Sequence, residues 1–190
     1  MDALKQRILS DGKNLGRGIL KVDSFINHQV DANLMHACAI EFARMFKPLR
    51  PTKVLTAEIS GIAPAVLTAM EMGVPIVYAR KSKPITMPDT VFLTTAPSHT
   101  KGSVVDLMIS PEYLGAGERV LIIDDFLASG QTILGLMRLA QAAGAQVIGV
   151  GALIEKTFEG GREALEAASL KVESLVRITD MRDDRIVFAD

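Results

Sequence analysis

The sequence predicts an α/β protein built on a parallel sheet flanked by helices. Two observations carry this. Short aliphatic and β-branched runs at 54–55, 74–78, 119–123, 147–154 and 172–178 alternate with segments of helical length. Aromatic residues make up only 5% and Trp is absent, so the core is aliphatic, which suits Val/Ile/Leu-rich strands buried on both faces.

The elements follow in order. Residues 2–10 make the first helix candidate, stopped at Gly12. Residues 13–30 are polar and irregular, interrupted by Leu15, Ile19-Leu20 and Phe25-Ile26. Asp31 is a good N-cap for a second helix, whose apolar stripe is Leu34, Cys38, Phe42 and Met45. After Pro51 strands begin, and Pro64 fits the first turn of a helix that ends near Gly73. Residues 91–95 and 103–109 read as arms of an antiparallel excursion with its tip at 97–102. Helix 131–143 is followed by Gly144, a short helix spans 162–168, and 180–185 is a charge-rich turn before a last short strand. No repeat or linker divides the chain, so residues 1–190 are expected to form one domain.

Composition excludes several classes. The net charge is 21 − 22 = −1, which argues against a basic nucleic-acid coat, so any attraction for anions is local. The single Cys38 sits on a helix stripe as a packing residue and has no internal disulfide partner, which leans towards a reducing compartment. The longest apolar run, 147–154, falls far short of the ~18 residues that span a bilayer, and the N-terminus has no signal-peptide core. A cytoplasmic protein is expected, with no membrane or nucleic-acid partner. His28 and His36 have no metal-ligand spacing around them, and no direct side-chain ligation of a metal is assigned.

The most informative segment is Val120-Leu-Ile-Ile-Asp124-Asp125-Phe-Leu-Ala128-Ser129-Gly130-Gln131-Thr132. An apolar strand delivers two adjacent carboxylates, and a tight loop of small residues opens a helix directly afterwards. That arrangement aims free backbone N–H groups at one point, with the helix dipole behind them, and Ser129 and Thr132 add hydroxyls. A phosphate would sit on the amides and sugar hydroxyls would face the acids. In parallel sheets a ligand lies at the carboxyl ends of the strands, so the loops after Leu55, Tyr78, Ile123 and Ile154 are expected to share one site.

This segment resembles the signature of the type I phosphoribosyltransferases. The resemblance implies that Ala128, Ser129, Gly130, Gln131 and Thr132 hold the 5-phosphate of phosphoribosyl pyrophosphate (PRPP), and that Asp124 and Asp125 face the ribose hydroxyls and the Mg²⁺ that accompanies the donor. Glu58-Ile59-Ser60-Gly61 matches the family's pyrophosphate loop, where Glu58, Ser60 and Gly61 would bind PRPP through backbone N–H groups and where the family often has a cis peptide. By itself this stretch also reads as a generic strand-to-helix turn.

Arg80-Lys81-Ser82-Lys83 ends the second strand. Arg80 and Lys81 there would neutralise the leaving diphosphate, though such runs are also ordinary solvated surface. In related enzymes this patch reaches a neighbouring subunit, which implies a homodimer. Residues 96–102 resemble the family's catalytic hood, with His99 and Lys101 as candidate cations, alongside the plain reading as an exposed hairpin tip. Residues 1–50 would contribute N-terminal helices and the rest of the hood.

Two features concern the acceptor. Lys156, at the end of the strand 147–154, donates well to an exocyclic carbonyl and poorly matches an exocyclic amine, which favours a 6-oxopurine over adenine. The segment 19–29, the Ala-Glu-Ile-Ser-Gly-Ile-Ala-Pro stretch and the Ile-Glu-Lys strand end together resemble the xanthine phosphoribosyltransferase branch. That resemblance implies that Leu20, Asn27 and Lys156 line the base pocket. Phe25 reads equally as a second cover for the ring or as a core anchor. The Asn27 amide could meet the 2-oxo group of xanthine, but it can flip to meet the amine of guanine. Guanine, hypoxanthine or adenine acceptors, and a PRPP-binding transcriptional regulator of the same fold, are the rival readings.

Overall fold

The computed structural model describes residues 1–97, 104–183 and 185–189. Helix α1 (Asp2–Asp11) opens the chain and buries Leu4 and Ile8. The stretch read as irregular contains a small antiparallel ladder, β1 (Lys13–Asn14) on β2 (Leu20–Lys21), and then a π-helical turn over Asp23–Asn27. Strands of two residues have no periodicity to detect, which is why the sequence conceals them. Helix α2 (Ala32–Phe46) starts as expected, with the Asp31 side chain accepting from the Leu34 amide. Arg7 joins these pieces: its guanidinium pairs with Asp31 at 2.9 Å and lies 5.3 Å from the Phe25 ring centroid.

The remaining elements are β3 (Lys53–Ala57), α3 (Ile62–Met72), β4 (Ile76–Ala79), β5 (Phe92–Pro97), β6 (Val104–Ile109), β7 (Arg119–Leu127), α4 (Gln131–Ala142), β8 (Gln146–Lys156), α5 (Gly161–Ala167), β9 (Val172–Asp180) and β10 (Val187–Phe188). The main sheet has the order β10-β9-β8-β7-β3-β4. Its strands are parallel except β10, which runs antiparallel to β9. β5 and β6 form a separate antiparallel hairpin. Arg138 of α4 holds that hairpin from one side, donating to Thr94 Oγ1 at 3.1 Å and Thr95 O at 2.8 Å. The other side is bridged to Arg80 through Met108.

Side chains alternate across β7 as a two-residue period demands. Leu121 and Ile123 join the apolar cluster that includes residues of α1, α2 and α3, while Val120 and Ile122 join the one that includes residues of α4 and α5. The buried face of α2 is Met35, Cys38, Ala39, Phe42, Ala43 and Phe46, so Leu34 and Met45 sit at its margin and not at its centre. The two phenylalanines find room because β8 carries Gly149 and Gly151. A Cβ on Gly149 would lie 2.7 Å from Phe46 Cε1, and one on Gly151 would lie 2.9 Å from Phe42 Cε1. The strand glycines are thus sockets for helix aromatics.

β7 runs further than its apolar stretch. The ladder with β8 continues to Leu127 opposite Glu155, so the acids lie on a strand and not after it. The neighbouring strand fixes this, because β8 itself extends to Lys156.

Gly151→Ala forces a methyl against Phe42 and Ile123. It is expected to cost about 1–3 kcal/mol, and calorimetry is expected to record a fall in Tm of roughly 2–4 °C for each kcal/mol lost.

Candidate active site

The loop after β3 is shaped by close approach. The Glu58-Ile59 peptide is cis. The Ser60 hydroxyl donates to the Asp125 carboxylate. A Cβ on Gly61 would fall 2.2 Å from Thr56 Oγ1 and 2.7 Å from Asp124 Oδ1, so only glycine lets this backbone lie against the acid. Among the described residues, the amides of Ile59, Ser60 and Gly61 have no protein acceptor, which leaves them free for an anion.

Glu58 differs from expectation. Its N–H donates to Ala79 O at 3.0 Å, and its carboxylate pairs with Arg80 Nε at 2.8 Å and accepts from the Lys81 amide at 2.5 Å. Its amide is spent on joining the β3 and β4 loops and is not offered to a diphosphate. The same pair places Arg80, whose guanidinium is paired with Glu58 and lies 5.9 Å from the Tyr78 ring centroid. Lys81 is the cation whose field reaches Asp124.

The acid pair is electrostatically loaded. Asp124 is 7% exposed and its Oδ1 accepts from the Asp125 amide at 3.0 Å. Burial, reinforced by the neighbouring Asp125 charge, pushes the Asp124 carboxyl well above the usual carboxylate range. Burial also raises Asp125, against the hydrogen bonds that Asp124, the local backbone and Ser60 supply. The pair therefore holds a proton more readily than free carboxylates do, and a ligand bringing hydroxyl donors or positive charge drives it off.

The loop 128–132 follows the same strand. Gly130 adopts φ +75°, a left-handed turn that frees the first amides of α4. The short helix α5 closes the back of the loop. A Cβ on Gly161 would lie 2.1 Å from Ala128 O and 2.9 Å from Gly130 N, so two backbones meet with no side chain between them.

On the acceptor side, Lys156 is 5% exposed. Its ammonium lies 3.3 Å from Glu159 and 5.4 Å from the Phe126 ring centroid. A Cβ on Gly18 would lie 3.4 Å from the Phe158 ring and 3.6 Å from Glu159, so the N-terminal ladder abuts the turn after Lys156. Leu20 is buried at the end of that ladder, and Asn27 is exposed at the end of the π-helical turn. Phe25 has no exposed surface and packs in the apolar cluster under Arg7, so it serves as the core anchor and not as a ring cover. His99 and Lys101 lie outside the described residues.

The phosphoribosyl transferase domain family matches residues 27–177. The chain belongs to that family. Within it, a xanthine phosphoribosyltransferase of Leuconostoc mesenteroides is 48% identical over 99% of this chain and 100% of its own length. One from Deinococcus deserti is 50% identical over 95% of this chain and 94% of its own. Among solved structures, an adenine phosphoribosyltransferase of Giardia lamblia superposes with a TM-score of 0.77 over 93% of this chain and 98% of that one, at 22% identity, a likeness of fold. The family membership makes the chain a pentosyltransferase, with the type I fold expected from its motif.

Several supporting residues escaped the sequence reading. Phe126 and Glu159 flank Lys156, while Glu155, Arg162 and Gly161 stand behind the loop 128–132. One signal was available for Glu155: an acid at the end of a buried strand demands a cation, and Arg162 is seven residues on.

Asp124→Asn separates function from stability. A carboxyl raised on folding stabilises the native state only while it is protonated, so its contribution is lost as pH climbs through the raised value. The variant is therefore expected to melt higher than wild type at pH 8, with the gap closing towards pH 4, while transfer activity falls. Melting curves across that range check the sign.

Proposed function

We propose that the chain transfers a 5-phosphoribosyl group from PRPP to xanthine, giving xanthosine monophosphate and pyrophosphate. The observation that carries this reading is the acid pair near the end of β7, Asp124 buried and Asp125 half-buried, set between a free-amide loop on β3 and the left-handed loop that opens α4. Relatives matching at 48% identity over full length carry the xanthine name.

The residues divide the work. Amides of Ser129, Gly130, Gln131 and Thr132 receive the 5-phosphate, with the helix dipole favouring its charge. Asp124 and Asp125 accept from the ribose hydroxyls and fix the ring. Amides of Ile59, Ser60 and Gly61, with Lys81, take the negative charge that grows on the diphosphate as the bond from C1 to its oxygen breaks. The acceptor nitrogen bonds C1 from the opposite face, and its proton leaves to solvent.

A divalent cation fits this site. Two adjacent carboxylates whose ionisation burial opposes, beside a buried Thr56 hydroxyl with no partner among the described residues, would suit a hydrated Mg²⁺ held by Asp124 and Asp125. When bound, the ion neutralises the diphosphate. Lys156 donates to the oxygen of a 6-oxopurine, Asn27 reads the 2-position, and Leu20 offers apolar cover.

The reading includes a cytoplasmic homodimer. No helix of the described residues is long and apolar enough to cross a membrane. Ile85 is fully exposed beside the Arg80-Lys83 run, where a second copy would cover it.

Turnover with PRPP and each of xanthine, guanine, hypoxanthine and adenine tests the assignment. Xanthine is expected to give the highest kcat/KM. Lys156→Met is expected to lower it by about 1–3 kcal/mol, roughly 5- to 150-fold. Preference for adenine overturns the base assignment.

A further inference from the structure

We propose that the Glu155–Arg162 ion pair is a positioning device for the phosphate loop, holding α5 so that Gly161 sets the shape of residues 128–130. The inference rests on the functional reading above.

Glu155 and Lys156 are adjacent on β8, so they leave the strand in opposite directions. Lys156 goes to the acceptor side. Glu155 goes to the side of α5 and is 1% exposed. Arg162 grips its carboxylate with two prongs, Nε to Oε1 at 2.8 Å and Nη2 to Oε2 at 2.6 Å. The remaining Arg162 nitrogen donates to Val172 O at 3.0 Å, which ties the same fork to β9. Burial alone would raise the Glu155 carboxyl; the hydrogen bonds from Arg162 and Ser174 and the charges of Arg162 and Arg177 outweigh it and hold the group below its usual range.

Arg162 is the residue after Gly161, the first residue of α5. Gly161 touches the loop with no intervening side chain: its Cβ position is 2.1 Å from Ala128 O, and that of Gly130 is 3.1 Å from Gly161 O. Leu127, the last residue before the loop, pairs in register with Glu155 itself. The fork therefore ties the helix that backs the loop to β8, the strand paired with the end of β7 that feeds it. A planar guanidinium matched to a carboxylate fixes direction as well as distance, which a single-point ammonium does not. A partly buried pair of this kind is weak evidence for stability, and its two-pronged geometry is what supports a positioning role. If α5 shifts outward, the loop loses its back wall and its amides diverge from the point where a phosphate sits.

Arg177 supplies the control. It reaches the same Glu155 carboxylate at 3.4 Å but is half-exposed and lies on β9, away from the loop.

The test compares Glu155→Gln, Arg162→Met, Arg162→Lys, Gly161→Ala and Arg177→Met with wild type. Affinity for ribose 5-phosphate is measured by calorimetry, alongside KM for PRPP and for xanthine, kcat and Tm. Glu155→Gln, Arg162→Met and Gly161→Ala are expected to weaken ribose 5-phosphate and raise the KM for PRPP by about 10-fold or more. The KM for xanthine at saturating donor is expected to stay within about 2-fold. Arg162→Lys is expected to fall between, and Arg177→Met to match wild type.

A folded Arg162→Met protein that binds ribose 5-phosphate as wild type does overturns the proposal. So does an equal loss of donor and acceptor affinity, which marks a merely structural role. Should Arg162→Met not fold, Arg162→Lys and Gly161→Ala decide by the same readings. Wild type that binds no ribose 5-phosphate overturns the site reading together with the proposal. Wild type that binds it yet transfers to no purine overturns only the functional reading, and the ribose 5-phosphate affinities still decide the positioning role.

Discussion

Two carboxylates share the buried end of β7, and neither ionises there without cost. The rest of the site answers that constraint. Gly61 brings a backbone against Asp124, Ser60 donates to Asp125, and Lys81 places a positive field nearby. Both carboxyls stay raised despite them. The proposed donor, with its hydroxyls, its cation and its phosphate, would relieve that constraint. The carboxyls that burial perturbs most thus lie where the proposed donor would bind.

The fold exists to deliver that point. Parallel strands put their carboxyl ends on one edge, and the long β7 and β8 carry polar residues past the apolar clusters into that edge. The glycines of β8 let α2 press close on one face, and Gly161 lets α5 press close on the phosphate loop. Lys156 and Glu155 show the economy of strand alternation: adjacent residues serve opposite sides of the sheet, one towards Phe126 and Glu159 and one towards α5.

Much of this was legible in the sequence because it is local. The order of strands and helices, the Asp31 cap, the Asp124-Asp125 pair and the small-residue loop are each written in fewer than about twenty consecutive residues. What escaped depends on distant partners. The Glu58 amide is spent on Ala79, and its carboxylate on Arg80 and Lys81; nothing near residue 58 announces this. Phe25 reads as well for a ring cover as for an anchor until Arg7 and the apolar cluster close over it. The ladder of β1 and β2 is too short for any pattern, and the apolar stripe of α2 is rotated by the sockets at Gly149 and Gly151.

The most direct test follows the proton that the acid pair holds. Titration calorimetry of Mg²⁺ and PRPP into the protein near pH 7, in buffers of different ionisation enthalpy, counts protons exchanged on binding. When the titration is repeated from pH 4 to pH 8, wild type is expected to release more protons than Asp124→Asn over part of that range, because burial raises the Asp124 carboxyl and the cation and hydroxyls of the donor lower it on binding. Equal proton release by the two proteins across that range, with equal affinity for the donor, would contradict the claim that this pair receives the sugar.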